Sequence, residues 1–380
     1  MNDILYFDYQ ATTPVDDSVL EAMLPFFGGR FGNPSSPHLY GLQAEAAVEK
    51  ARRGIAQALG VDAAEIVFTS GATEANNLLI KGLAGSRGRG HVVSVVTEHK
   101  SVLAPLRTLQ RQGFSLTLLP VDGRGILDPT RLQDALPDDT VLVSAMYGNN
   151  ETGSLHPIDA IASVAHARGI PLHCDATQAI GQLPVQPRAL GIDLMTFSGH
   201  KIYGPKGIGV AYASRQLRED RLLQPLIEGG GQEGGLRGGT PNVPAIVGLH
   251  RAVELAMSLL PTEPLRAARL RQSFLAELAT RVDFINNTPL EQALPHCVNL
   301  SFPDVNPQAL LQSLSGLAVS DGSACNSGAQ QPSHVLTAMG LAPALVGASL
   351  RLSFGRPTRH DDAVLAARLL ALDVAACRQR

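Results

Sequence analysis

The chain has 380 residues, 44% of them hydrophobic and 17% charged, with a net charge of −3. That is more chain than one hydrophobic core usually supports, so a large and a small domain are expected, and the near-neutral balance offers no basic footprint for nucleic acid. The opening Met1-Asn2-Asp3 carries an acid where a secretory leader needs positive charge, and no apolar run approaches the ~18 residues that cross a bilayer, so the expectation is a cytoplasmic protein with no membrane partner.

Short Val/Ile/Leu runs alternate with helical patterns between glycines and prolines. In chain order the pattern predicts helix 42–60, strand 66–69, helix 73–82, strand 91–97, helix 101–113, strands 115–120 and 141–146, helix 158–168, strands 171–174, 192–197 and 207–213, then helices 244–259 and 262–281. This is the rhythm of an α/β fold: βα units around a mostly parallel seven-stranded sheet. The helical stretch breaks at Leu259-Leu260-Pro261, and beyond it strands are sparser (297–302, 318–320, 349–353) before a closing helix 361–378. The expected organisation is a segment 1–15 packing with the small domain, a large domain 16–258, and a smaller α+β domain 259–380.

Two consecutive strands end in complementary chemistry. Strand 171–174 runs into Asp175, and strand 192–197 delivers Ser198-Gly199-His200-Lys201. Taken singly, a lysine after a strand is ordinarily a solvated loop residue, and Asp175 ahead of Ala176-Thr177-Gln178 could cap a helix. A lysine with partial burial or a positive neighbour becomes a usable amine near neutral pH. A lysine that forms an imine, paired with an aspartate on a pyridine nitrogen, is what pyridoxal phosphate requires.

Other strand ends carry polar clusters. Thr69-Ser70-Gly71-Ala72-Thr73-Glu74 is a strand, a Gly turn and a helix start, where N–H groups and a hydroxyl converge on a place for a phosphate, or where Thr73 simply caps a helix. His99, in Thr97-Glu98-His99-Lys100, falls on the rim where open α/β sheets bind ligands; a lone histidine is more often structural, but there it can stack on a ring and move protons. Asn149-Asn150 falls on the same rim, with an ordinary turn as the alternative. The Gly-rich run 229–240 matches Gly-x-Gly-x-x-Gly, but no strand precedes it and no helix begins within it, so it reads as a loop that approaches a ligand or a partner subunit. Of four cysteines, Cys174, Cys297 and Cys377 sit in apolar runs or the last helix, and no spacing suits a disulfide framework or zinc. Cys325 lies in a run of small polar residues, where an accessible thiol can ionise.

Together these motifs resemble the cysteine desulfurases of the NifS/IscS type, in the class V branch of the fold-type I pyridoxal phosphate enzymes. The likeness runs through Tyr6-Phe7-Asp8-Tyr9-Gln10-Ala11-Thr12-Thr13-Pro14, Phe31-Gly32-Asn33-Pro34, the turn at 69–74, Thr97-Glu98-His99-Lys100, His173-Cys174-Asp175-Ala176-Thr177-Gln178, Ser198-Gly199-His200-Lys201, Gly322-Ser323-Ala324-Cys325 and Arg351-Leu352-Ser353-Phe354-Gly355-Arg356, nearly the whole chain. The segment around Cys325 is similar to that of a long-loop subgroup, whose thiol swings from cofactor to acceptor.

The resemblance implies Lys201 as the internal aldimine, Asp175 at the pyridine nitrogen, Gln178 at the ring oxygen, and His99 stacked on the ring as acid/base. It places Ala72, Thr73, Ser198 and His200 on the phosphate, with Thr240 arriving from the other subunit of a homodimer. Asn150 and Arg351 would orient L-cysteine, Arg351 through a paired contact with its carboxylate, with Asn33 assisting. Cys325 would take the sulfur as a persulfide, releasing L-alanine, and pass it to a sulfur acceptor or iron–sulfur scaffold protein. Two alternatives stand: a selenocysteine lyase or other class V aminotransferase or lyase in which the thiol is incidental, and a non-catalytic sulfur carrier or scaffold-binding protein. Tyr147-Gly148 departs from the histidine- or alanine-type pair common in relatives. The chain ends at Arg380 without the tail by which some relatives grip a scaffold, so the expectation leaves the acceptor open.

Overall fold

The computed structural model describes residues 4–314, 316–320 and 332–378. After β1 (Leu5–Tyr6) come β2 (Ile66–Thr69), β3 (His91–Val95), β4 (Ser115–Leu119), β5 (Thr140–Ser144), β6 (Leu172–Asp175), β7 (Leu194–Ser198) and β8 (Gly209–Ala213). The last seven form one sheet in the order β2-β8-β7-β6-β5-β3-β4. Pairing is parallel from β7 to β4, and β8 runs antiparallel to both of its neighbours. The expected mostly parallel seven-stranded sheet is therefore present.

Alternate residues of each strand enter different cores. Phe68, Val93, Val143 and Phe197 pack with the helices Leu39–Leu59 and Val243–Leu259, while Val67, Val92, Leu142 and Leu194 pack with Ala72–Arg87 and Lys100–Arg111. Both faces are covered, which is why the central strands read as unbroken apolar runs.

A second set of strands follows: β9 (Ile285–Asn286), β10 (Cys297–Ser301), β11 (Leu317–Ala318) and β12 (Ser349–Ser353). β12, β10 and β9 form an antiparallel sheet, and β11 pairs with β1. Helices Glu263–Ala279 and His360–Arg378 complete this core around Phe274, Phe302 and Phe354, and Phe7 joins it with its ring edge-on to Phe354 at 5.5 Å. Between Val243–Leu259 and Glu263–Ala279 the axes bend by 72°. We propose the domain boundary at that bend, because the cores on either side share no strand.

The short helices Asp17–Met23, Pro129–Asp134, Arg215–Glu219, Pro307–Ser313, His334–Ala338 and Pro343–Gly347 were not legible in the pattern. One or two turns hold too few apolar positions to display a period. Among the described residues, no single helix is long and apolar enough to cross a membrane.

Candidate active site

The carboxyl ends of the parallel strands deliver the polar side chains, as open α/β sheets do. Asp175 ends β6, Lys201 sits in the single turn after β7, His99 caps the helix that follows β3, and Gly71 turns β2 into the helix Ala72–Arg87. One cavity of about 520 Å³ gathers them, with Arg351 of β12 closing it from the other sheet. Of the residues named from the sequence, Ala72, Thr73, His99, Asn150, Asp175, Gln178, Ser198, His200, Lys201 and Arg351 line it. Asn33 and Thr240 are exposed and do not; Asn33 Oδ1 accepts the Ser35 N–H at 3.0 Å in a local turn. Cys325 lies outside the described residues.

One end of the cavity is built for an anion. No side chain caps the helix Ala72–Arg87, so its first N–H groups and their partial positive charge are presented beside Ser198, His200 and Lys206. Gly209 stands between Thr69 and Ser198 in the sheet, and a Cβ there would come within 2.7 Å of the Gly71 Cα and the Phe197 oxygen. Only glycine lets β8 back the turn this closely. Burial, reinforced by Lys201 and Lys206, pushes the His200 pKa down to about 4, so it meets a ligand as a neutral hydrogen-bonding ring.

The other end is acidic. Asp175 is buried and accepts from Asn76 Nδ2 at 2.9 Å and the Thr177 N–H at 3.0 Å. Glu98 lies behind it, wholly buried, with the Met146 N–H on Oε1 at 2.6 Å. Burial, and secondarily the charge of Asp175, raises its pKa well above the usual carboxylate range. Lys201 Nζ donates to the carbonyls of Gln10 at 2.5 Å and Ala11 at 2.8 Å. Arg351 donates to Asp8 Oδ1 at 2.7 Å, the Asn150 carbonyl at 2.7 Å and Ser320 Oγ at 3.0 Å.

Among the described residues, Gln10 Oε1, Thr177 Oγ1 and Arg351 Nε are buried polar atoms without a hydrogen bond, and all three residues line the cavity. Buried polar groups are ordinarily paired, so these point to a polar ligand. An anion cradle, a central amine and a carboxylate at the far end fit pyridoxal phosphate. Gln10, Thr12 and Lys206 also line the cavity and were not assigned from the sequence. Gln10 and Thr12 lie in the run from Tyr6 to Pro14, but their place depends on contacts nearly 190 residues away, such as Thr12 Oγ1 with His200 Nδ1 at 3.1 Å (|i−j| = 188). Lys206 lies in the turn Gly204-Pro205-Lys206-Gly207 just after Lys201, and that closeness along the chain is the signal that could have found it.

The family model for class V aminotransferases matches residues 5–364. The chain is 44% identical over 380 residues to the cysteine desulfurase IscS of Anaeromyxobacter dehalogenans (strain 2CP-C), covering 99% of this chain and 93% of that one. It is 42% identical over 379 residues to the cysteine desulfurase IscS of Rickettsia felis, covering 99% and 92%. Among solved structures, a NifS-like protein superposes with a TM-score of 0.92 at 35% identity, covering 98% of this chain and all (100%) of that one. SspA in complex with cysteine superposes at 0.83 with 40% identity, covering 92% and 98%. With the matched model spanning almost the whole sequence and the strand-end chemistry in place, the chain belongs to the class V aminotransferase family.

Proposed function

We propose that this chain is a pyridoxal-phosphate-dependent cysteine desulfurase that converts L-cysteine to L-alanine and leaves the sulfur on Cys325. The observation that carries the reading is one cavity shared by an amine, a carboxylate and a guanidinium: Lys201 after β7, Asp175 on neighbouring β6, and Arg351. Ala72, Thr73, Ser198 and His200, with Lys206 beside them, would hold the phosphate; Asp175 would face the ring nitrogen and Gln178 the ring oxygen. When bound, the cofactor supplies an aldehyde for an amine and an electron sink for the substrate α-carbon.

The chain's own groups supply the rest. Arg351 is buried, planar and permanently charged, with Nε left over to take a carboxylate, and Asn150 stands beside it. Lys201 is the amine placed to remove the α-proton. The Cys325 thiolate attacks the substrate sulfur: an S–S bond forms as the C–S bond breaks, the bonding pair stays on carbon, and a proton completes alanine.

A homodimer belongs to this reading. Leu20, Leu24, Phe27, Phe31, Leu39 and Leu42 are all at least 47% exposed within one short stretch, a patch that a second copy would cover, and Thr240 is free on the surface to enter that copy's cavity. A sulfur acceptor or iron–sulfur scaffold protein would then take the persulfide sulfur, in a reducing cytoplasm that suits the free thiols of Cys174, Cys297 and Cys377. Incubation with L-cysteine is expected to yield alanine and a persulfide mapped by mass spectrometry to Cys325. Cys325→Ala is expected to keep the cofactor's visible absorption and lose sulfide release; release at the parent rate defeats the persulfide route and favours a lyase with an incidental thiol. A protein that stays colourless with pyridoxal phosphate favours a non-catalytic sulfur carrier.

A further inference from the structure

The hydrogen bonds around His99 can be assigned a direction one atom at a time. An ionised carboxylate only accepts, so the Asn76 atom 2.9 Å from Asp175 Oδ2 is the amide nitrogen, and the Thr196 hydroxyl donating to Asn76 Oδ1 at 2.7 Å agrees. The second amide N–H then points to Ser101 Oγ at 2.9 Å. Having accepted there, that hydroxyl has one proton to give, and His99 Nδ1 is 2.8 Å away. The same Nδ1 accepts the backbone N–H of Ser101 at 3.1 Å, capping the helix Lys100–Arg111. A ring nitrogen that receives two donors keeps its lone pair, so its proton sits on the other nitrogen.

We infer that Asn76 and Ser101 are positioning residues: they and the helix cap pin His99 as the Nε2–H tautomer, so the imidazole offers the cavity a donor and exchanges protons through Nε2. The inference rests on the reading that this cavity is the reacting site. Asn76 is wholly buried and does not line the cavity, so it acts through Ser101 and Asp175. Asp175 thereby sets the amide orientation, the amide sets the hydroxyl, and the hydroxyl sets the ring. The groups facing the ring favour the neutral form: burial lowers its pKa, Asp175 opposes that, and Lys201, His334 and Lys100 reinforce it, while burial raises the pKa of Glu98 next to it.

The test is the ring-nitrogen spectrum of the full chain labelled with 15N-histidine, with His99→Gln used to pick its signals out of 11 histidines. The parent is expected to show a protonated Nε2 and a bare Nδ1 at neutral pH. Ser101→Ala removes a donor that stabilises the neutral ring, so the His99 pKa is expected to rise by roughly half a unit to one unit. Ser101→Thr keeps the hydroxyl and is expected to restore it. A proton on Nδ1 in the parent overturns the inference without any variant having to fold, and so does a Ser101→Ala titration indistinguishable from the parent's. The spectrum reads the tautomer whether or not L-cysteine is turned over: this tautomer in a protein that forms no alanine defeats the desulfurase reading and leaves the positioning role standing.

Discussion

Asp8→Ala probes how the active-site arginine is held. Arg351 is 3% exposed and its one carboxylate partner among the described residues is Asp8, 2.7 Å away and 18% exposed at the side chain. Without Asp8 the guanidinium keeps, among the described residues, the Asn150 carbonyl and Ser320 Oγ. Breaking a buried pair costs about 3–5 kcal/mol, and the partial water contact of Asp8 puts this one near the lower end, about 3 kcal/mol. At about 2.1 cal/mol/K per residue, a chain of 380 residues melting as one unit has an unfolding entropy of about 0.8 kcal/mol/K, so Tm should fall by about 4 °C. The same change frees one face of Arg351 for the substrate carboxylate, so KM for L-cysteine should fall rather than rise. Differential scanning fluorimetry and steady-state alanine formation on the cofactor-loaded protein measure both. A Tm within about 1 °C of the parent, or a raised KM with cofactor binding intact, would refute the argument that Asp8 and substrate compete for one buried cation.

Glu98→Gln removes a titration. A carboxyl whose pKa is raised by burial and by Asp175 binds its proton more tightly in the folded chain than in the unfolded one; its stabilising contribution is complete below the ordinary value of 4.5 and is lost as pH climbs toward the folded value. The variant should match the parent in urea midpoint below that ordinary value and gain on it as pH rises above it, and a gap that does not change with pH would contradict the raised proton affinity of Glu98. Gly209→Ala forces a methyl within 2.7 Å of the Gly71 backbone and the Phe197 oxygen, neither of which can rotate away. The expected cost is about 1–3 kcal/mol, with pyridoxal phosphate lost on dialysis; a variant that keeps its colour and its Tm would show that the cradle is looser than drawn.

Much of the site was legible because its members sit at strand ends. Asp175, Lys201 and His99 each follow an apolar run whose length and turn signals mark a strand, and a parallel sheet aligns such ends on one rim. The buried strands could be read because both faces are covered, which leaves unbroken apolar segments. Asn76 gave no sign: it is a polar residue on a helix, next to a second asparagine at 77, and its burial depends on packing against β6 and β7.

By itself, then, the sequence determined the longer helices and the buried strands, their alternation and the kinds of side chain at each turn, since these follow from local periodicity and backbone stereochemistry. Strand order, the reversal of β8, the docking of Gln10 and Ala11 onto Lys201, and the Asp8–Arg351 pair across 343 residues were decided only by the tertiary structure. Such contacts depend on which surfaces lose water together, and no spacing along the chain encodes that. The same holds for charge: nothing along the chain marks Glu98 off from any other carboxylate, and it is burial, with the charge of Asp175 second, that raises its proton affinity.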